Sequence, residues 1–69
     1  MKLNIKWTNK YSHETGYVGK VLKSKNHFVN AETSVDAKKY STEKMANKDI
    51  ALLEAMGEAE NNLFEIVKA

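Results

Sequence analysis

Ser41-Thr42-Glu43-Lys44-Met45-Ala46-Asn47-Lys48-Asp49-Ile50-Ala51-Leu52-Leu53-Glu54-Ala55-Met56-Gly57 is the stretch on which the fold turns. Ser41 or Thr42 suits an N-cap, because a hydroxyl there can accept a bond from an unpaired amide of the first turn. Glu43 complements the positive end of the helix dipole. Gly57 stands where a left-handed residue would end the helix. The stretch therefore predicts one main helix over residues 42–56. At helical spacing, Ala46, Ile50, Leu53 and Gly57 fall in one row, with Met45, Leu52 and Met56 beside it. Such a stripe packs on a sheet.

Asp49 breaks the pattern, lying between the two rows. A carboxylate in mid-stripe must reach water, find a donor or take up a proton. Trp7 Nε1, a tyrosine hydroxyl or a lysine from the sheet could supply the donor. The other reading turns part of the stripe outward. Asp49, Met45 and Met56 then belong to an interface with a partner chain.

The sheet is read upstream and downstream of this helix. Leu3, Ile5 and Trp7 alternate with Asn4, Lys6 and Thr8, which predicts a strand over 2–9. The polar run from Asn9 to Gly16 suits a hairpin loop. Tyr17–Ser24 carries β-favouring residues, with Gly19 hinting at a bulge, and 27–30 reads as a third strand. Thr33 or Ser34 offers a cap for a short helical turn over Val35–Tyr40. Residues 63–67 form the last strand.

These elements predict a single α+β domain over 1–69. Its sheet is three- or four-stranded and mainly antiparallel, with one main helix on one face, in the order β-β-β-α-β. A fourth strand parallel to its neighbour would make the helix a right-handed crossover. The expected core is Leu3, Ile5, Trp7, Val18, Leu22, Phe28, Ala46, Ile50, Leu53, Phe64 and Ile66. Tyr17 with Val21, or Leu63 with Val67, are the alternatives if the register slips.

Ala37-Lys38-Lys39-Tyr40, then Ser41-Thr42-Glu43-Lys44, then Phe64-Glu65-Ile66-Val67 give an aromatic step, a helix start and a terminal strand in succession. Across residues 36–67 the chain resembles small uncharacterised phage and prophage proteins of Gram-positive bacteria. The resemblance implies a phage or prophage source and an α+β fold. It brings no catalytic residue with it.

Composition narrows the function classes. The 69 residues include no cysteine, proline or arginine, so neither a disulfide nor a thiolate zinc site supports the core. A chain of this size buries only about 60% of its unfolded surface. The longest apolar run is Ile50-Ala51-Leu52-Leu53, which predicts no membrane span and no secretory leader, hence a cytoplasmic protein. His13 and His27 lack a third ligand at metal-binding spacing, and Ser12, Ser24, Ser34 and Ser41 fall in predicted turns or caps, where their hydroxyls bond backbone groups. No enzyme activity and no cofactor are expected. Gly16-Tyr17-Val18-Gly19 matches the GxxG spelling of KH domains, but such a loop joins two helices, and here it opens a strand.

The formal net charge of +2 hides an asymmetry. Residues 1–30 carry six lysines against Glu14, while residues 31–69 carry five lysines against eight acids. In a two-layer fold these halves would form opposite outer surfaces. Lys2, Lys6, Lys10, Lys20, Lys23 and Lys25, with Tyr11, are candidates for a loose nucleic-acid contact. The absence of arginine weighs against base-specific readout, and any exposed sheet face must be polar. The leading expectation is a protein-interaction or regulatory module, with a homodimer as one form of partner. A weak nucleic-acid binder is the alternative.

Overall fold

The structure, a computed structural model, describes residues 2–69. Its strands are β1 (Leu3–Asn9), β2 (Thr15–Leu22), β3 (His27–Ala31) and β4 (Asn62–Lys68), and its helix is α1 (Glu43–Ala55). Short 3-10 turns occupy Lys23–Lys25 and Glu58–Glu60. The order across the sheet is β3-β2-β1-β4, and every neighbouring pair is antiparallel. The α+β fold and the β-β-β-α-β order are as the sequence predicts. The parallel option for the last strand is not realised. Instead, the connection through α1 carries the chain from one edge of the sheet to the other.

Local chemistry sets the element ends. Asn9 Oδ1 accepts from the amides of Tyr11 and Ser12 at 2.9 Å each, and the Asn9 amide donates to Glu14 O at 2.8 Å, closing the first hairpin. Thr42 caps α1, its hydroxyl accepting from the Met45 amide at 3.2 Å. Gly57 follows the helix with φ +86°, the left-handed conformation that glycine adopts without strain. Residues 33–37 form bends and turns rather than the expected helical turn. The Thr33 hydroxyl bonds Asp36 Oδ2 at 3.3 Å, a contact that closes a turn and caps nothing.

The bulge foreseen at Gly19 corrects the core. Val18 pairs with Asn30, but the next pairs are Lys20 with Val29 and Val21 with Phe28, so one extra residue sits in β2. Alternation restarts one position late. Val21 therefore turns inward against the core, and Leu22 turns to the other face. Ile5, Val18, Phe28, Tyr40, Ala46 and Leu53 form the buried cluster, with Leu3, Trp7, Val21, Ile50, Phe64 and Ile66 packed around it. Leu22 drops out of the expected list, and Tyr40 enters it. Trp7, Phe28 and Phe64 meet edge-to-face, with centroids 6.2 and 5.7 Å apart.

Trp7 also donates from Nε1 to Asn30 Oδ1 at 2.8 Å, across Gly16. A Cβ at Gly16 would lie 2.3 Å from that oxygen and 2.7 Å from the indole nitrogen. Gly16→Ala should therefore break the bond and push the indole out of place, costing about 1–3 kcal/mol. Thermal unfolding should show a loss of roughly 4–8 °C per kcal/mol. An unchanged melting temperature would contradict this packing.

Candidate functional site

The polar group that breaks the helix pattern in the sequence proves to be an anchor. The β1–β2 ladder ends at Lys6–Tyr17. Beyond it, residues 38–40 enter the gap between the strands. The Lys38 amide donates to Val18 O at 3.1 Å, and Tyr40 exchanges both backbone bonds with Leu3 at 2.9 Å. Asn4, fully buried, donates from Nδ2 to Lys38 O at 3.1 Å. Its Oδ1 has no partner among the described residues.

Residues 38–40 then reach up to the helix. The Tyr40 hydroxyl donates to Asp49 Oδ2 at 2.5 Å, and Lys38 Nζ donates to the same oxygen at 2.8 Å. The lysine also lies 5.2 Å from the Tyr40 ring centre. Two of the three donor types expected for Asp49 are thus present. The lysine comes from the connection rather than from the sheet, and Trp7 is committed to Asn30.

Burial alone would raise the Asp49 pKa. The hydrogen bonds from Lys38 and Tyr40, with the charges of Lys38 and Lys48, outweigh it and hold the carboxylate below its ordinary value of 3.8. Burial, and then the neighbouring carboxylate, push the Tyr40 hydroxyl far above the tyrosine range. Lys38, Tyr40 and Asp49 do not line the cleft at Ile50, Glu54 and Phe64 or the one at Gly19, Val29 and Asp36. The trio joins the connection to the helix, with Lys38 half-exposed above the buried Asp49.

The remaining candidates are dispersed. Lys6 lies on the face away from α1, between Tyr17 and Glu65 in the register. Lys20 shares that face at the bulge, opposite Val29. Lys10 does not join them, because its ammonium donates to Ala59 O at 2.9 Å beyond the end of β1. Lys2 precedes β1 and is exposed, Lys23 and Lys25 stand in the 3-10 turn, and Tyr11 is exposed in the first loop. Glu65 beside Lys6 interrupts the basic field expected of the sheet.

Met45 is half-exposed, within 3.6 Å of the Ser41 hydroxyl, and Met56 is partly buried at the helix end. Asp49 is bonded within its own chain, so these three residues do not form one outward patch. His27 Nδ1 lies 3.9 Å from Glu58, and no group of three metal-ligating side chains occurs among the described residues.

No protein-family model matches this chain, and comparison with curated proteins and with solved structures finds no match. Among the described residues, no helix is long and apolar enough to cross a membrane.

The depressed Asp49 pKa makes the anchor pH-dependent. The folded state favours the carboxylate, so its contribution is present above the ordinary value of 3.8 and is lost as pH falls through the lower folded value. Asp49→Asn should cost about 1.5–3 kcal/mol at neutral pH, the scale of hydrogen bonds to a charged group. The gap from wild type should narrow below about pH 4, where the unfolded carboxyl of wild type is also protonated. Urea titrations at pH 7 and pH 2.5 measure both, and an equal gap at the two pH values would refute the role.

Proposed function

We propose that this protein is a non-enzymatic protein-interaction module that works through the uncovered half of its sheet. The observation that carries the reading is the one-sided cover. α1 packs on one face against β1 and β4, while Val29 and Leu63, 43% and 57% exposed, stand on the other. Around them on that face lie Tyr17, Leu22 and Val67, with Lys6, Lys20 and Glu65. A surface mixing apolar side chains with a few charges of both signs resembles a protein interface more than a phosphate-tracking groove. The phage or prophage source implied by residues 36–67 belongs to the same reading.

The nucleic-acid alternative rests on the lysines of residues 2–25, and their dispersion supports it less. A contact through Lys6 and Lys20 alone would neutralise only a few phosphates.

Tagged wild-type protein should retain a specific partner from a host lysate at physiological salt. Val29→Lys with Leu63→Lys should abolish retention without changing the melting temperature by more than a few degrees, both residues being exposed. In parallel, fluorescence anisotropy with single- and double-stranded oligonucleotides should show no saturable binding at low salt. Saturable binding that fades with added salt would replace this reading with the alternative.

A further inference from the structure

β4 leaves one side of its backbone unpaired. It forms the sheet edge, and no backbone bond from Asn62–Lys68 runs anywhere except to β1 among the described residues. Which groups are free follows from the ladder. The Ala69 amide donates to Lys2 O at 3.0 Å, and the Lys10 amide donates to Asn61 O at 2.8 Å. Both pairs continue the β1–β4 register, in which Asn4 faces Val67, Lys6 faces Glu65 and Thr8 faces Leu63. In an antiparallel ladder bonded and non-bonded pairs alternate. The odd positions of β4 therefore bond β1, and Asn62, Phe64, Ile66 and Lys68 point their N–H and C=O groups outward.

The same even positions carry side chains on the helix face, where Phe64 and Ile66 join the core. A cleft of about 360 Å³ opens at this edge, lined by Ile50, Glu54, Ala59, Leu63 and Phe64 with Lys10 and Asn62. Leu63 and Phe64 belong to opposite faces of β4, so a cleft that both line lies at the strand's edge. Both ion pairs among the described residues, His27–Glu58 and Lys38–Asp49, leave Glu54 and Lys68 unused.

We propose that β4 pairs antiparallel with β4 of a second copy, joining two sheets into one of eight strands. Only registers that set even positions opposite even positions can satisfy the free groups. Centring the pair on Glu65 would place two glutamates directly opposite each other, a destabilising arrangement. Centring it on Ile66 sets Ile66 against its twin and Phe64 against Lys68 of the partner subunit. Each Lys68 then arrives beside the cleft where Glu54 lies unpaired, and two-fold symmetry makes that ion pair twice. Glu65 faces Val67 of the partner subunit, so no like charges meet. The interface is isologous and closes on itself, which limits the assembly to a dimer.

This inference deepens the interaction reading and names a second copy as one partner of the edge, distinct from the outer face carrying Val29. Charge reversal tests it, because Glu54 and Lys68 are exposed and each substitution acts at two symmetric contacts. Sedimentation equilibrium of the wild type should give a dimer. Glu54→Lys and Lys68→Glu should each weaken dimerisation about tenfold or more, and the double variant Glu54→Lys with Lys68→Glu should restore it. Circular dichroism should show all four folded alike. A wild type that stays monomeric up to millimolar concentration would overturn the dimer, as would a dimer indifferent to both single reversals. Lysate capture reads the outer face instead, so it tests the interaction function separately whichever way the dimer experiment falls.

Discussion

The double hydrogen bond to Asp49 Oδ2, from the Tyr40 hydroxyl and Lys38 Nζ, ties together the three parts of this molecule. One partner lies on the helix, and the other two on the residues that fill the gap between β1 and β2. Without residues 38–40 that gap would leave Val18 O and both backbone groups of Leu3 unpaired beside the core. Such groups are costly to bury. Filling the gap means ordering a connection of eleven residues between β3 and α1, which loses conformational entropy. The return comes from several bonds on the same few residues. Lys39 adds to them by donating to the carbonyls of Ser34, Val35 and Ala37.

An ion pair whose lysine is half-exposed is weak evidence for net stability, because solvent screens much of the attraction. Here the geometry supports a role in specificity. Thr42, the cap of α1, follows Tyr40 by two residues, so fixing Tyr40 on both Leu3 and Asp49 fixes where the helix begins. A helix rotated by one residue would carry Asp49 away from its donors and leave a carboxylate against apolar side chains. The penalty for that error exceeds the worth of the pair itself, since the buried Asp49 carboxylate would be left without a donor. Asp49 thus discriminates among ways of laying an amphipathic helix on a sheet that apolar packing alone would distinguish poorly.

Much of this is legible in the residues, and the exceptions have physical causes. The helix can be placed because cap, dipole and C-terminal glycine agree, and β1 because its alternation is unbroken. Strict alternation from Val18 runs through Leu22 and assigns it to the core, whereas the bulge resets the period at Gly19. Tyr40 escapes the core pattern for a different reason. It follows two lysines and precedes a serine, a context with neither period, and it is buried by one isolated bridge to a strand thirty-seven positions earlier. Non-local pairing of that sort leaves no local trace. Lys38-Lys39-Tyr40 is the segment that fills the gap between β1 and β2, so those residue types have a structural purpose here. Alternation places the candidate lysines on one face, which holds for Lys6 and fails for Lys10 once the strand has ended.

The two edges of the sheet differ in a way that bears on how the protein meets others. β3 is five residues long and pairs across a bulge, which increases local twist and makes an edge a poor template. β4 has seven residues in unbroken register with β1, and contains no proline, no glycine and no bulge. Proteins commonly blunt such an edge with charge, and Glu65 and Lys68 are the charges available. Glu65 opposes self-pairing only in the register that sets it against its own copy. Lys68 opposes pairing only where no acid awaits it, and Glu54 stands beside Phe64 at the position an Ile66-centred pair would bring it to. The edge therefore excludes one alignment and accommodates another, which is how a strand edge acquires selectivity without being closed.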